Sequence, residues 1–228
     1  MITSYQIGST IRSRTGNICG LTNGADASNG LCNPIAAVRG SFRTLGLKSV
    51  SSALLIIDVQ QILCSGKNIA HDVDGVINRI NLVSRKARAS GTLVVVIQHE
   101  TKNGDMDYGT DSWNLAPALE VHSSDVFLRK TASDSFHGTG LHELLDSRGI
   151  TSLVICGLQS EFCVDTTTRR AMALGYPVVL VSDGHSTVDN GILSAPQISA
   201  HHNKTLSDIE SFGPRTTAVP AGEIDIEA

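Results

Sequence analysis

Short, uninterrupted apolar runs separated by segments of helical spacing are the feature that most constrains the fold of this chain. Runs such as 53–57 and 92–97 consist of Ala, Leu, Ile, Val and Thr, as expected of strands buried on both faces. Between these two runs, the apolar positions Val73, Val76 and Ile80 follow the period of a helix. The alternation predicts a three-layer α/β/α sandwich around a mostly parallel, about six-stranded, Rossmann-like sheet.

The same pattern gives approximate bounds for each element. Strands are predicted at 53–58, 92–99, 125–130, 152–156, 177–182 and 216–219, and helices at 72–89, 141–148, 163–174 and 195–210. Gly91, Gly149 and Gly175 follow the first three helices, where glycine acts as a stop signal. Residues 101–114 lack a period and are predicted to form a long loop.

The composition changes near residue 48 and divides the chain into a segment 1–48 and a larger domain 49–228. The segment 1–48 holds five basic residues and one acidic residue, with many Ser, Thr, Gly and Asn. It shows no helical or strand period, so we expect a weakly structured N-terminal extension or an arm that contacts another subunit. An Arg-rich, acid-poor start also resembles an organelle transit peptide, although glycines interrupt the helix that such peptides need.

The charge and the cysteine content exclude several classes of function. A net charge of −4 argues against nucleic acid and acidic membrane surfaces as partners. The five cysteines form no C-x-x-C pair and no regular spacing, which argues against a zinc ribbon and a disulfide framework. We therefore expect a reducing compartment, the cytoplasm. We also expect no membrane span and no secretory signal.

Chemically reactive side chains follow the predicted strands at the edge where their carboxyl ends meet. Asp58 ends the first strand, Lys130 the third and Asp183 the fifth, while Cys163 follows the fourth. Open parallel sheets bind their ligands at this edge. Cys163 is also predicted to lie in the first turn of a helix, where unpaired N–H groups and the helix dipole stabilise a thiolate.

Each of these residues also has a structural alternative. Cys163 fits a buried, inert cysteine, Asp58 a loop-capping carboxylate and Lys130 a surface lysine. We favour a reactive centre, because a carboxylate at the end of an apolar strand must be paired or hydrogen-bonded to be buried at a tolerable cost. The sequence therefore indicates a nucleophilic cysteine beside a carboxylate and an ammonium.

Several motifs resemble those of the isochorismatase-like cysteine hydrolase superfamily. They are Leu54-Leu-Ile-Ile-Asp58-Val-Gln60, Lys130-Thr-Ala-Ser-Asp-Ser-Phe136, Gly157-Leu-Gln-Ser-Glu-Phe-Cys163-Val-Asp-Thr-Thr-Thr-Arg169 and Val181-Ser-Asp183. The resemblance covers about residues 50–210 and leaves out the first segment. It implies that 49–228 is an isochorismatase-like hydrolase domain.

The resemblance implies a catalytic triad of Asp58, Lys130 and Cys163. It also implies a non-proline cis peptide between Leu158 and Gln159, and an oxyanion hole formed by the backbone N–H groups of Gln159 and Cys163. The implied activity is hydrolysis of a C–N bond in a small amide, ureide or lactam, through a thioester on the cysteine. Members of the superfamily are commonly dimers or tetramers, so we expect a homo-oligomer.

One departure from the superfamily bears on metal binding. Nicotinamidases of the superfamily carry an Asp-x-His metal motif after the second strand, where this chain has Gln98-His99-Glu100-Thr101. We therefore expect no metal and no other cofactor, and we do not favour nicotinamide as the substrate.

Residues near the strand ends and on the facing loops are candidates for the pocket. The predicted substrate-binding residues are Gln60, His99, Trp113, Phe136, Glu161 and Phe162. His99 is expected to form a hydrogen bond in the pocket. Trp113 has an equally good alternative, packing at a subunit contact.

Two other functions stay open at this point. One is isochorismatase itself, which cleaves a vinyl ether and depends more on the acidic residue than on a thiol. The presence of Cys163 favours C–N cleavage over that reaction. The other is a non-catalytic binding or redox-responsive module, in which an exposed Cys163 is oxidised.

Overall fold

A computed structural model describes residues 51–67 and 69–226 of the chain. The predicted N-terminal extension 1–48 lies outside the described residues. Within the part of the chain that is described, no helix is long and apolar enough to cross a membrane.

The strands form one six-stranded sheet in which every pair is parallel, in the order β3-β2-β1-β4-β5-β6. Their bounds are β1 Ser52–Ile57, β2 Leu93–His99, β3 Val126–Lys130, β4 Ser152–Leu158, β5 Val178–Ser186 and β6 Thr216–Val219. The first strand, β1, lies in the middle of the sheet; β2 and β3 extend the sheet to one edge, and β4, β5 and β6 extend it to the other. This arrangement confirms the predicted α/β class and its parallel sheet.

The helices fill most of the connections between the strands. Their bounds are α1 Gln61–Cys64, α2 Val73–Ala89, α3 Leu141–Ser147, α4 Asp165–Ala173 and α5 Ala195–Asp208. A π-helical turn, Ser160–Val164, precedes α4. A capping box between Ser194 and Gln197, with Pro196 in the first turn, begins α5.

Alternate side chains of the central strands enter two separate cores. Leu54 and Ile56 of β1 belong to the core beneath α2, and Leu55 and Ile57 belong to the core shared with α3, α4 and α5. All four side chains are fully buried. A strand apolar on both faces must be covered on both, which is why its sequence is a continuous run and why three layers form.

β1 and β4 approach each other closely at their carboxyl ends. Ile57 lies opposite Gly157 in the register, and Gly157 has a φ of 124°, in the region that favours glycine. A Cβ atom on Gly157 would collide with the backbone of Ile57, including its carbonyl oxygen. This close contact places the residue after Ile57 next to the turn that leaves β4.

The end of β5 differs from the prediction. The strand continues to Ser186, four residues beyond the predicted end, with a register irregularity between Ile155 and Gly157 of the neighbouring strand. Asp183 accepts a hydrogen bond from the Ala221 N–H at 2.8 Å and so holds the C-terminal segment. Asp183, predicted to end the fifth strand, therefore lies within that strand.

Candidate active site

Lys130 reaches from β3 across β2 to the end of β1. It lies opposite His99 in the register of the two strands, and its side chain is fully buried. Its Nζ atom lies 2.7 Å from Asp58 Oδ2 and 3.2 Å from Cys163 Sγ. The three side chains expected at the sheet edge therefore meet at one ammonium group. We call Asp58, His99, Lys130 and Cys163 the lysine centre.

The ammonium of Lys130 has more acceptors than protons. Besides Asp58 and Cys163, it lies 3.1 Å from His99 Nδ1 and 3.1 Å from the Ala132 carbonyl oxygen. A lysine ammonium carries three N–H donors, and four acceptors surround this one. One acceptor must go without a full hydrogen bond at any moment, so the hydrogen bonds of the lysine centre can rearrange as charge moves.

Asp58 is buried, but only one of its two carboxylate oxygens has a partner. Its backbone adopts a φ of 52°, uncommon for a residue other than glycine, and its N–H donates to the Ile97 carbonyl at 2.9 Å. Oδ2 pairs with Lys130, while Oδ1 has no hydrogen-bond partner among residues 51–67 and 69–226. Ligand atoms of Asp58, His99 and Cys163 lie within 4.8 Å of one another. A carboxylate this close to a thiol, with one oxygen that lacks a donor, is placed to take a proton.

Cys163 lies in the π-helical turn and not in the first turn of α4. The pKa of its thiol is raised from 9.0 to about 12, first by burial and second by the nearby Asp58 carboxylate, while Lys130 opposes the increase. The resting form is therefore a thiol. The sequence-based expectation of a resting thiolate is not supported, because desolvation and the carboxylate outweigh the lysine.

A cis peptide bond joins Leu158 and Gln159, as the resemblance implies. The Gln159 carbonyl accepts the N–H groups of Phe162 and Val164, each at 3.2 Å, and so closes the π-helical turn. Gln159 also lines the cavity beside Cys163. The assignment of the Gln159 and Cys163 N–H groups as oxyanion donors stays a prediction.

A cavity of about 200 Å³ opens onto the lysine centre. Its lining residues are Asp58, Leu63, His99, Met106, Ser133, Gln159, Phe162 and Cys163. A larger, open cleft of about 620 Å³ lies between residues 69–74, with Lys67, on one side and Val188, Asp189 and Ala195 on the other, and its lining includes no member of the lysine centre. The smaller cavity is the candidate site because it contains the reactive groups.

Of the six predicted pocket residues, His99 and Phe162 line this cavity, and Phe162 is 53% exposed. Gln60 is fully buried and does not line it. Its amide accepts the His99 N–H at 2.8 Å and donates to the His99 carbonyl at 3.0 Å and to the Trp113 carbonyl at 2.7 Å. Gln60 therefore fixes the backbone of His99.

The other three predicted pocket residues also lie outside the cavity lining. Trp113 packs edge-on against Tyr108, with ring centroids 4.8 Å apart. Phe136 is buried in the core, where it stacks on Tyr176. The Glu161 carboxylate accepts a hydrogen bond from Thr187 Oγ1 at 2.9 Å. These three side chains support the loops around the site.

A polar chain next to the site was not predicted from the sequence. The Asn203 amide donates to the Ser182 carbonyl at 2.8 Å, so its oxygen accepts from His185 Nε2 at 2.9 Å. His185 Nδ1 then accepts the Ser160 hydroxyl at 2.8 Å, and Ser160 accepts the Ser199 hydroxyl at 2.9 Å. We call Ser160, His185, Ser199 and Asn203 the histidine chain. It ties the first residue of the π-helical turn to β5 and α5.

Leu63, Met106 and Ser133 line the cavity and were also missed. Leu63 lies in the short helix α1, and Met106 in the loop predicted at 101–114. None of the three has a side chain whose chemistry marks it in the sequence. The one available signal was that each follows a strand end within a few residues.

The donor set does not fit a metal ion as it stands. Asp58, His99 and Cys163 offer an oxygen, a nitrogen and a sulfur within 4.8 Å of one another. The Lys130 ammonium, however, already lies within hydrogen-bonding distance of all three groups. A divalent cation would have to displace a buried positive charge, so no step of the reaction is assigned to a metal.

Comparisons with known proteins bear on the family and the fold of this chain. The family model for the isochorismatase domain matches residues 52–213. A streptothricin hydrolase of Streptomyces noursei is 38% identical over 178 residues, which are 74% of this chain and 64% of the relative. This chain thus matches less than two thirds of that relative's length.

Solved structures show the same fold. The crystal structure of an isochorismatase family protein has a TM-score of 0.68 and 34% identity, covering 74% of this chain and 97% of that chain. N-carbamoylsarcosine amidase of Thermoplasma acidophilum has a TM-score of 0.64 and 22% identity, covering 76% and 98%. With the family model matching most of the described chain, this protein belongs to the isochorismatase family.

Proposed function

We propose that this protein is a cysteine-dependent hydrolase that cleaves a C–N bond of a small amide, ureide or lactam. The observation that carries the proposal is the contact of one buried ammonium, Lys130, with both Asp58 and Cys163 at the wall of a cavity. A thiol next to a carboxylate oxygen that lacks a donor is a nucleophile beside its base.

The first half of the reaction acylates the cysteine. Asp58 Oδ1 accepts the proton of the Cys163 thiol as the sulfur forms a bond to the substrate carbonyl carbon. The carbonyl π electrons move to oxygen, and the N–H groups of Gln159 and Cys163 stabilise the negative charge. One such donor contributes about 3–4 kcal/mol in other enzymes. When the C–N bond breaks, the leaving nitrogen takes the proton from Asp58.

The second half releases the acid. Asp58, again a carboxylate, accepts a proton from water as the water oxygen attacks the thioester carbon. The C–S bond breaks, and the Cys163 sulfur recovers the proton from Asp58. Lys130 remains an ammonium throughout, and it is free to shift a hydrogen bond toward the sulfur whenever the sulfur carries negative charge.

The cavity favours a small, largely apolar acyl group. Its volume is about 200 Å³, and Leu63, Met106 and Phe162 contribute apolar side chains to its lining. The streptothricin hydrolases of Streptomyces noursei make streptothricin one rational compound to test. Simple amides, ureides and lactams complete the set.

Two further expectations belong to this proposal. The three described cysteines, Cys64, Cys156 and Cys163, are free thiols, which supports a role in a reducing compartment. A homo-oligomer stays a prediction.

The test is hydrolysis of that compound set, followed by mass spectrometry of products and of intact protein. We expect turnover and a covalent acyl adduct on Cys163 in the wild type, and neither in Cys163→Ala. Cys64→Ala is the matched control, because Cys64 is also a partly buried free thiol but does not line the cavity. Full turnover by Cys163→Ala would contradict the nucleophile.

The same assay separates the alternatives. Turnover of isochorismate that survives in Cys163→Ala and is lost in Asp58→Asn would favour vinyl ether hydrolysis, which depends on the acid. A protein that hydrolyses nothing, but whose Cys163 is oxidised reversibly by peroxide, would favour the redox-responsive module.

A further inference from the structure

Lys130 determines which ring nitrogen of His99 accepts a hydrogen bond and which one donates. Its Nδ1 atom lies 3.1 Å from Lys130 Nζ. An ammonium offers only donors, so Nδ1 must be the accepting, unprotonated nitrogen. In a neutral imidazole the proton then sits on Nε2. His99 therefore presents an N–H donor at the edge of the ring that faces away from Lys130.

Two features keep His99 in this state. Burial lowers its pKa, and the nearby Lys130 lowers it further, while Asp58 and Glu100 oppose the shift. The buried amide of Gln60 holds both the N–H and the carbonyl of His99, so the backbone that carries the ring is fixed. The ring is thus held neutral and in one orientation.

The protonated edge of the ring is free to bind a ligand. His99 is one of the cavity-lining residues, and its Nε2 atom makes no hydrogen bond with any residue in 51–67 or 69–226. Since Nε2 has no partner and is not among the buried unpartnered atoms, it is accessible to solvent. The cavity lining also holds the acceptor side chains of Asp58, Ser133 and Gln159, but none of them forms a hydrogen bond with His99 Nε2 in the part of the chain that the structure describes.

We propose that His99 selects substrates by donating a hydrogen bond from Nε2 to an acceptor adjacent to the scissile carbonyl group. This inference rests on the proposed amide hydrolase function and narrows its substrate class. Favoured compounds carry a second carbonyl, an ether oxygen or an unprotonated ring nitrogen at that point. Compounds that present an N–H group there are rejected, because two donors would face each other.

Two variants separate the two edges of the ring. In His99→Asn the side-chain oxygen replaces Nδ1 as an acceptor for Lys130, and the donor at the Nε2 position is lost. In His99→Gln the longer amide places an N–H group near the Nε2 position, and the acceptor next to Lys130 is lost. Circular dichroism and thermal unfolding check that both variants fold.

The first measurement is the 15N NMR spectrum of the imidazole in the full-length wild-type protein, with His99→Asn used to assign the signals. We expect a protonated Nε2 and an unprotonated Nδ1 at neutral pH. A proton on Nδ1, or an imidazolium, would overturn the proposal. This measurement needs no variant to be active.

The second measurement compares two alkylating reagents at Cys163 by peptide mass spectrometry. Iodoacetamide carries a carbonyl acceptor and iodomethane carries none, and any change in thiol ionisation cancels in their rate ratio. We expect this ratio to fall about fivefold in His99→Asn, the usual net effect of one hydrogen bond, and to be largely kept in His99→Gln. An unchanged ratio in His99→Asn would overturn the proposal.

These results are independent of turnover. If Cys163→Ala still hydrolyses the substrates, the proposed function fails whatever the alkylation ratio shows. If the ratio does not respond to His99→Asn while Cys163 proves essential, the substrate selection by His99 fails and the proposed function stands.

Discussion

The lysine centre and the histidine chain are two buried polar networks a few residues apart, and they differ in how completely their hydrogen bonds are satisfied. In the histidine chain each link has one donor and one acceptor, and all four bonds run in the same direction. In the lysine centre three protons serve four acceptors, and Asp58 Oδ1 has no donor among the described residues. The two networks therefore suit different purposes.

A fully satisfied buried network fixes one geometry, because any rearrangement leaves a polar group unpaired. A network with an unpaired acceptor can take up a proton, or exchange one hydrogen bond for another, at little cost in free energy. The hydrogen bonds of the lysine centre can therefore rearrange, whereas those of the histidine chain hold one arrangement. Both act on the same π-helical turn, which Cys163 and Ser160 share.

The largest expected effect comes from removing the charge of the lysine centre. Lys130→Met leaves the Asp58 carboxylate buried and unpaired, and we expect the free energy of unfolding to fall by about 3–5 kcal/mol. Hydrolysis should be lost as well. Urea unfolding measures the first quantity.

The double variant Asp58→Asn with Lys130→Met provides the control, because Asn is uncharged and tolerates the positive φ of residue 58. It removes both charges, so most of the lost stability should return while hydrolysis stays absent. A Lys130→Met protein as stable as the wild type would show that the ion pair is not buried as described.

The second effect concerns ionisation of the Cys163 thiol. The folded-state pKa of Cys163 is raised from 9.0 to about 12, so the folded protein prefers the thiol. The stability from this preference is complete below pH 9.0 and is lost as the pH rises toward 12. Thiolate absorbance of the wild type minus that of Cys163→Ser should still be increasing above pH 9.0. If the difference in absorbance instead reached a plateau below pH 9.0, Cys163 would be a thiolate in the resting protein.

The third effect breaks the histidine chain. Ser160→Ala leaves His185 Nδ1 and the Ser199 hydroxyl without their partner, and we expect about 1–3 kcal/mol of destabilisation. Hydrolysis should fall less than in Asp58→Asn, where loss of the base removes about 100-fold or more. Ser199→Ala, at the outer end of the chain, should cost less than Ser160→Ala in urea unfolding. Equal costs would contradict the role of Ser160 as the member that bonds both His185 and Ser199.

The smallest effect is the acid response of the histidine chain. Burial is the main cause that lowers the pKa of His185 from its usual 6.5, so the folded protein prefers the neutral ring. Protonation of the unfolded chain should therefore reduce stability as the pH falls below 6.5. His185→Gln should flatten this part of the stability profile. An unchanged profile would assign the acid sensitivity to other groups.

The fold could be predicted because the central strands are apolar on both faces, and short runs of this kind between helical segments are typical of a parallel sheet covered on both sides. Asp58, Lys130 and Cys163 could be placed at one edge, because strand ends can be located to within a residue or two. Asp183 was wrongly predicted to end the fifth strand, because the end of that strand could not be located from its sequence. The polar end of β5 resembles a loop in sequence, although side-chain hydrogen bonds satisfy its buried residues.

Other features had no sequence signal to find. A π-helical turn differs from an α-helical turn by one residue of hydrogen-bond spacing, which composition does not reveal. The members of the histidine chain come from three separate elements, and only the folded chain brings them together. The raised pKa of Cys163 depends on its burial, which its position before α4 does not determine.

Gly157 contributes no functional group, yet it sets a limit on how this protein can evolve. The space where its side chain would begin is already filled by the backbone of Ile57, and its φ of 124° suits only glycine. In a saturation library, position 157 should tolerate fewer amino acids than many positions whose side chains contact the substrate. Changes in specificity are therefore easier to reach by altering the walls of the cavity than by altering the strand ends that support it.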